Sequence, residues 1–261
     1  MKTRDEFFKF YLTYCPVAMS FWRSLECEQY ARRPLPGPVL DVGCGDGLFA
    51  LTVFGKQLEA GIDLDQKEVD RAIQRQAYKK TVCGSVNYLP FSSKSFKTVI
   101  SNCVLEHVPD IDGALKEISR VLKPGGRLMI TVPSECYNTH SFFGGIFRAL
   151  GLGGVEKKYI DGLNRIFKHH HVDDAKTWEK RFKKAGLKLV EAEYFVSLEA
   201  FHAYERWLIP SFPAKIFKAL FGRWIITPRI LTKALAPGLV RKALYSKSEK
   251  GAAYFLTARK G

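Results

Sequence analysis

The stretch Val39-Leu40-Asp41-Val42-Gly43-Cys44-Gly45-Asp46-Gly47 decides the fold of this chain. Its apolar start predicts a β-strand, its three glycines predict a tight turn, and the apolar residues from Leu48 onward predict a helix. Glycines there let the backbone approach a ligand closely, beside the N–H groups of a helix N-terminus. The spacing is G-x-G-x-G, whereas the dinucleotide fingerprint is G-x-G-x-x-G, so a nicotinamide or nucleotide fold is the weaker alternative.

A second acidic landmark lies twenty residues beyond Gly43, where Asp63 ends the apolar run from Leu58 to Leu64. A carboxylate at that place can accept hydrogen bonds from ribose hydroxyls. The alternative role for Asp63 is to cap the helix that follows it, but Asp65 is better placed for capping. We therefore expect Asp63 to bind a ribose.

Strand and helix patterns alternate from the proline-rich segment 34–38 onward. The predicted strands are 38–42, 58–63, 80–83, 97–103, 127–133, 187–197 and 252–259. Residues 3–33 are predicted to be helical, and further helices are predicted near 46–55, 66–78 and 110–122 and over 172–186. This alternation indicates an α/β fold with a doubly wound, mostly parallel sheet, in which ligands bind at the carboxyl ends of the strands.

With these motifs the chain resembles a known family, the class I S-adenosylmethionine-dependent methyltransferases. Val39–Gly47 is similar to their first motif and Gly61–Asp65 to their second. Leu89-Pro90-Phe91, Val104–Asp110 and Arg120–Arg127 resemble the branch typified by ubiquinone and menaquinone biosynthesis methyltransferases, the methyltransferase type 11 group. The resemblance covers residues 37–133 and continues more weakly over 172–197. It implies a seven-stranded Rossmann-like sheet whose last strand is antiparallel.

The resemblance implies that S-adenosyl-L-methionine is the cofactor. The residues that would hold it are Asp41, Gly43, Cys44, Gly45, Asp63, Leu64, Ser85, Val86 and Asn102. The glycine turn would line the methionine portion through its backbone. Asp41 would lie beneath and orient either that turn or, through water, the cofactor ammonium. Ser85 stands where the family usually has an aspartate that accepts from the adenine amino group. Serine is a poorer acceptor there, which leaves the Val86 N–H to reach the ring.

Histidines are the candidate groups for the chemistry and for the acceptor. His107 follows the fourth strand and is a candidate general base, since imidazole titrates near neutral pH; a structural role in the Glu-His-Val-Pro turn is the alternative. His169, His170 and His171 are candidates for lining the acceptor site. Consecutive residues of an extended segment point to opposite faces, so these three cannot chelate one ion together, and we expect no metal. Ordinary loop packing is their other interpretation.

Composition restricts the compartment. The six cysteines are scattered without a C-x-x-C pair, which favours reduced thiols in a cytosol-like compartment over disulfides or a zinc site. The N-terminus is too charged to resemble a secretory signal, and no apolar run reaches the ~18–20 residues of a membrane span. We therefore expect a cytoplasmic protein.

The positive charge is concentrated in the second half of the chain. The net charge is +15 overall, and residues 134–261 hold 23 basic against 11 acidic side chains. Residues 198–250 interleave tryptophan, phenylalanine and tyrosine with lysine and arginine. This pattern suits helices on an anionic membrane surface, which makes the protein peripheral to the inner membrane face. The alternative is a helical subdomain whose lysines are simply solvated.

The predicted organisation has three parts. Residues 1–36 form an N-terminal helical cap, and 37–197 with 251–261 form the methyltransferase domain, including a lid insert over 134–171. Residues 198–250 form a basic, aromatic-rich helical insert. Both inserts would leave the carboxyl edge of the sheet, so we expect acceptor specificity to lie there.

The resulting prediction is an enzyme that methylates a hydrophobic or lipid-linked small molecule at a membrane surface. A soluble metabolite is the first alternative acceptor. An RNA-directed enzyme fits the charge but lacks the Asn/Asp-Pro-Pro-aromatic signature, so nucleic acid is not the expected partner. A protein that binds the cofactor without catalysis is the remaining alternative. The sequence leaves the oligomeric state open.

Overall fold

A computed structural model of the chain describes residues 2–221, 238 and 240–261. These residues belong to two compact units. The helical unit comprises Met1–Arg32, Cys136–Ile166 and Tyr194–Ala252, and the sheet unit comprises Arg33–Glu135, Phe167–Glu193 and Ala253–Gly261. The division into cap, domain and inserts that we expected from the sequence stays a prediction.

The strands are β1 Val39–Val42, β2 Leu58–Asp63, β3 Tyr78–Cys83, β4 Phe96–Asn102, β5 Leu122–Pro133, β6 Leu187–Ser197 and β7 Gly251–Lys260. They form one seven-stranded sheet in the order β3-β2-β1-β4-β5-β7-β6. β1 is parallel to β2 and β4, β2 to β3 and β4 to β5, whereas β7 runs antiparallel to β5. The predicted mostly parallel sheet with an antiparallel last strand is confirmed. All four residues of β1 are buried, as expected for a strand covered on both faces.

The helices are α1 Arg4–Tyr11, α2 Val17–Ala31, α3 Leu48–Phe54, α4 Gln66–Gln74, α5 Ile111–Val121, α6 Cys136–Thr139, α7 Phe142–Ala149, α8 Gly153–Phe167, α9 Ala175–Lys184 and α10 Leu198–Phe221. A 3-10 turn, Leu105–His107, follows β4. Aspartates begin three helices of the sheet unit: Asp65 accepts from Lys67 N at 2.9 Å, Asp110 from Gly113 N at 3.0 Å and Asp174 from Thr177 N at 2.8 Å. Asp65, and not Asp63, is therefore the cap of α4.

The range 3–33, which the sequence predicts to be helical, contains two helices, α1 and α2. The predicted capping box at the start is present: Thr3 and Glu6 exchange side-chain and backbone hydrogen bonds. α2 begins after Pro16, whose backbone is extended. Proline has no N–H to continue an upstream helix and its ring clashes with the preceding turn, so it ends one helix and starts the next.

Aromatic side chains form the core of the helical unit. Phe7, Phe8 and Phe21 are fully buried, and Trp22 packs on Tyr204 with ring centroids 4.7 Å apart. The predicted insert 134–171 contains α6, α7 and α8. The predicted insert 198–250 begins with α10, and its residues 222–237 and 239 lie outside the described part. Within the described ranges, no helix combines the length and apolar character that a membrane crossing requires.

Candidate cofactor site and histidine cluster

The three glycines of the turn after β1 all have left-handed backbone, with φ of 74°, 52° and 74° at Gly43, Gly45 and Gly47. A Cβ on Gly43 would lie 2.2 Å from a methyl of Val104, and one on Gly47 would lie 2.4 Å from the Cβ of Ala77. Around Gly45, by contrast, a Cβ would meet no atom within 4 Å. The outer two glycines thus serve packing and backbone geometry, whereas Gly45 opens onto space that a ligand can fill.

The N–H groups of this turn are used inside the protein. Gly43 N and Cys44 N donate to the Ile62 carbonyl at 2.8 and 3.0 Å, and Gly45 N donates to Asp63 Oδ2 at 2.8 Å. A pyrophosphate needs N–H donors, whereas an ammonium group and hydroxyls need oxygen acceptors. The turn therefore suits a cationic, hydroxyl-bearing ligand such as S-adenosylmethionine better than a dinucleotide.

Asp41 lies beneath the turn and is 2% exposed. The Tyr78 hydroxyl donates to Asp41 Oδ2 at 2.7 Å. Burial, followed by the charge of Asp41, raises the pKa of Tyr78 well above its ordinary value, so the phenol stays protonated and keeps donating. Burial also raises the pKa of the Cys44 thiol, with Asp41 and Asp63 adding to the effect, so Cys44 is not a thiolate nucleophile.

Asp63 sits at the end of β2 with both carboxylate oxygens directed to backbone donors. Oδ2 accepts from Gly45 N, and Oδ1 accepts from Asp65 N at 3.0 Å. Each carboxylate oxygen has a second lone pair, so these contacts orient the group and leave acceptor capacity for ribose hydroxyls. Leu64 follows with 76% of its surface exposed, as a residue that covers an adenine would be without ligand.

The remaining predicted cofactor residues follow β3 and β4. Ser85 Oγ accepts from Asn87 N at 3.2 Å, so its hydroxyl is turned into its own loop, and Val86 is half-buried beside it. Asn102, at the end of β4, is held by its side chain, since its Oδ1 accepts from Thr131 Oγ1 at 2.7 Å. The next residue, Cys103, has a φ of 50°, a conformation that non-glycine residues adopt mainly at functional or strained sites.

His107 lies against His169. The two rings are stacked with centroids 5.5 Å apart and an interplanar angle of 18°, and Phe167 stacks on the other side of His169 at 5.8 Å. His107 Nδ1 lies 3.2 Å from the Lys168 carbonyl oxygen, and its Nε2 lies 3.7 Å from Glu106 Oε1. Burial, followed by the charge of His107, lowers the pKa of His169 to about 4, so this imidazole is neutral at pH 7.

The side chains of the three consecutive histidines point in different directions, as the period of an extended segment predicts. His171 is turned inward: its Nε2 lies 3.0 Å from the Val108 carbonyl oxygen and its Nδ1 lies 3.3 Å from Arg181 Nη2. His170 is exposed, and its backbone N–H donates to the Glu106 carbonyl at 2.8 Å. Of the three, His169 is the one whose ring meets His107. Their roles as acceptor-site residues stay predictions.

Residues 40–130 match the family described as the methyltransferase domain. Over this range the chain is similar to that domain family. The methyl donor of that family is S-adenosylmethionine, which agrees with the hydrogen-bond acceptors around the glycine turn. A solved SAM-dependent methyltransferase of Thermotoga maritima has the same fold, with a TM-score of 0.56 and 18% identity over 94% of this chain and 92% of that chain.

Two curated proteins are similar to the methyltransferase domain. The malonyl-acyl-carrier-protein O-methyltransferase of Erwinia pyrifoliae is 34% identical over 98 residues, 37% of this chain and 37% of that protein. The demethylmenaquinone methyltransferase of Lactococcus lactis is 31% identical over 169 residues, 59% of this chain and 66% of that protein. The chain thus spans less than two thirds of either relative.

The sequence did not predict the environment of two residues in the methyltransferase domain. Glu106 is 2% exposed and its carboxylate faces His107, although charged residues beside histidine in a turn give no signal for burial. Tyr78 was placed outside the third strand, and its contact with Asp41 was not foreseen. Gly61 is the sequence feature that relates to this contact, because a Cβ there would lie 2.8 Å from the Tyr78 ring.

Proposed function

We propose that the protein is an S-adenosylmethionine-dependent methyltransferase whose acceptor is a hydrophobic or lipid-linked small molecule. The observation that carries the proposal is the glycine turn: its N–H groups donate within the protein, the Asp63 carboxylate keeps acceptor capacity, and Gly45 opens onto free space. The match of residues 40–130 to the methyltransferase domain supports the same conclusion.

In this proposal the cofactor lies along the ends of β1, β2, β3 and β4. Gly43, Cys44 and Gly45 line its methionine portion, and Asp63 accepts from its ribose hydroxyls. Leu64 covers the adenine, and the Val86 N–H reaches the ring. Asn102 meets the methionine end.

The bound cofactor supplies a methyl group on a positively charged sulfur, which is already activated for transfer. The protein has to align the acceptor with that group, exclude water and remove a proton where the acceptor carries one. His107 is the proposed general base. With its Nδ1–H donated to the Lys168 carbonyl, the lone pair of the ring is on Nε2, where an acceptor proton can be taken.

The acceptor class is proposed from chemistry and from similarity. The relative from Lactococcus lactis is named for demethylmenaquinone, a quinone, and its alignment extends beyond the cofactor motifs to 59% of this chain. His169, His170 and His171 are proposed to line the acceptor site next to His107. The stacked, uncharged His169 ring suits a planar or apolar acceptor better than an anionic one.

A membrane surface is the proposed place of work. In the helical unit, α7 and α8 are joined by a tip that carries large exposed apolar residues: Ile146, Leu150, Leu152 and Val155 are 42–66% exposed. Lys157 and Lys158 follow on the exposed face of α8. Apolar side chains flanked by lysines suit insertion into the headgroup layer of an anionic membrane. The basic segment 198–250 is the second proposed contact.

The activity is tested with labelled-methyl cofactor and with lipid and aqueous extracts of the source cell. The expected result is labelled product in the lipid fraction with the wild type and none with Asp63→Ala. Label in the aqueous fraction alone would identify a soluble metabolite as acceptor. Label on RNA, with binding that weakens steeply as salt rises, would identify an RNA-directed enzyme. Calorimetric binding of the cofactor without turnover on any extract would leave a non-catalytic binding protein.

A further inference from the structure

A second chemical feature of the sheet unit is a cluster of one carboxylate and two imidazoles. It consists of Glu106 and His107 in the 3-10 turn after β4, and of His169 before α9. One ligand atom from each of the three lies within 4.8 Å of the other two. The sequence gives no metal-ligand spacing here, because two of the residues are adjacent and the third is more than sixty positions away.

The backbone holds these two segments together independently of the three side chains. His170 N and His171 N both donate to the Glu106 carbonyl, at 2.8 and 3.2 Å. The His171 ring contacts the Val108 carbonyl at 3.0 Å. Lys168 has a left-handed backbone with φ of 55°, which turns the chain just before His169. The position of His169 opposite the Glu106-His107 pair is therefore fixed by several contacts.

The orientation of His107 is the one found in histidines that bind metals. Such a histidine usually donates one ring N–H to a carbonyl or carboxylate and coordinates through the other nitrogen. Here Nδ1 lies 3.2 Å from the Lys168 carbonyl oxygen, which puts the lone pair on Nε2. Nε2 in turn lies 3.7 Å from Glu106 Oε1, too far for a hydrogen bond between them.

We propose that Glu106, His107 and His169 bind one divalent transition-metal ion of the zinc class. Two imidazoles and one carboxylate are a donor set that catalytic zinc sites use, and they leave a coordination position open. Ligand bonds of ~2.0–2.2 Å allow two ligand atoms of one ion to be at most about 4.2 Å apart. The 3.7 Å separation of His107 and Glu106 already satisfies this limit. The ligand atom of His169 lies within 4.8 Å of the other two, so a shift of less than about 1 Å brings it inside the limit.

The ion gives the acceptor a second mode of activation, and this consequence rests on the proposed function. A hydroxyl oxygen of the acceptor that occupies the open position loses its proton to solvent and becomes a better nucleophile. His107 is then a ligand rather than the base, since the metal and the proton compete for the same lone pair on Nε2. The binding site itself does not depend on the identity of the acceptor.

The test uses the full chain, treated with chelator and titrated with Co²⁺ alone, because cobalt reports its coordination through visible absorption. The expected result is one equivalent bound per chain, with a d–d spectrum of low coordination number that Zn²⁺ abolishes. His169→Ala and Glu106→Gln are each expected to weaken binding at least about tenfold. His170→Ala is the matched control on the same segment, and its affinity is expected to equal that of the wild type.

Several results would overturn the metal site. They are absence of saturable binding to the wild type, unchanged affinity in His169→Ala, and a thiolate-to-cobalt charge-transfer band, which would assign the ion to one of the cysteines. Circular dichroism of each variant verifies that the fold is retained, and His169→Ala keeps the test valid if Glu106→Gln does not fold. Calorimetry with S-adenosylmethionine, done separately, distinguishes failure of the metal site from failure of the proposed function.

Discussion

The Tyr78 hydroxyl, on β3, donates a 2.7 Å hydrogen bond to the buried Asp41 carboxylate, on β1. The strand between them, β2, has glycine at position 61, directly paired with Asp41. A Cβ on Gly61 would lie 2.8 Å from the Tyr78 ring, so the glycine makes room for the ring to cross β2. The glycine turn after β1 is thus oriented by a residue two strands away.

Replacing Tyr78 with Phe is expected to lower the free energy of unfolding by about 1–3 kcal/mol. The Asp41 carboxylate would then lack a donor that it holds in a buried position. The affinity for S-adenosylmethionine is expected to fall as well, because the turn is less well oriented. Urea denaturation and calorimetry measure the two effects. Tyr88→Phe, at a side chain 82% exposed, is the control, and equal effects in both variants would contradict the prediction.

Substitution by alanine is expected to lower the stability of the protein by different amounts at different glycines of the turn. Gly43→Ala should destabilise the protein by at least about 2 kcal/mol, because its Cβ collides with Val104 in addition to the backbone strain. Adding Val104→Ala should recover part of that loss. Gly45→Ala has open space around it and should cost only about 1 kcal/mol, yet it should weaken cofactor binding. Equal loss of stability in the two alanine variants would refute this division.

Asp63 and Asp65 provide a matched pair for separating binding from folding. Asp63→Ala is expected to weaken S-adenosylmethionine binding at least about tenfold, since hydrogen bonds from a ligand to a carboxylate are lost. Asp65→Ala removes the α4 cap and should lower stability by about 1 kcal/mol while cofactor affinity stays unchanged. Calorimetry and thermal melts are the measurements. Unchanged cofactor affinity in Asp63→Ala would contradict the ribose role.

Glu117 gives a pH dependence with a definite sign. The Arg120 side chain, and then the Leu89 N–H, lower the pKa of this carboxyl below its ordinary 4.5. A carboxyl with a lowered pKa in the folded state contributes stability above pH 4.5 and loses that contribution as the pH falls through the folded-state pKa.

Glu117→Gln is therefore expected to be less stable than the wild type at pH 7, and the difference is expected to shrink in acid. Melting temperatures between neutral and acidic pH measure it. Glu68→Gln is the control for the loss of one carboxylate from a helix-surface ion pair, because Glu68 makes a comparable pair with Arg71 on α4. A difference that grows toward low pH would have the wrong sign and refute the assignment.

The membrane proposal is tested at the tip between α7 and α8. A double variant with Leu150→Glu and Leu152→Glu is expected to lose co-sedimentation with vesicles of anionic phospholipid, because charges replace the inserting side chains. Ile73→Glu, at an exposed apolar residue of α4, is expected to sediment like the wild type. Equal sedimentation of all three proteins would exclude the tip as a membrane contact and leave the segment 198–250 to be tested by deletion.

The strand, the glycine turn and the carboxylate of the proposed cofactor site could be predicted from the sequence because each of them is local. A strand, a glycine turn and a carboxylate at the next strand end are encoded within a few neighbouring residues, and parallel pairing aligns the strand ends. Asp65 as the cap of α4 was likewise readable from its position. The helical range 3–33 is divided into two helices because proline sets a boundary at Pro16, although the apolar pattern continues across it.

The different surroundings of the three histidines could not be predicted from the sequence. The sequence predicts one shared role for His169, His170 and His171. In the structure the segment turns at Lys168, and the rings of His169 and His171 contact different partners. The left-handed φ of a lysine has no signature in composition or periodicity. For the same reason, the sequence did not foresee that Glu106 is buried next to His107.

By itself, the sequence determined the sheet, the turn and the family, since glycine spacing, strand patterns and helix caps act over short separations. Only the tertiary structure decided which distant groups meet. Tyr78 reaches Asp41 across 37 positions, and His107 reaches the His169 segment across about sixty. Contacts of this kind depend on the twist, register and turns of the whole sheet unit, and these emerge only when the chain packs.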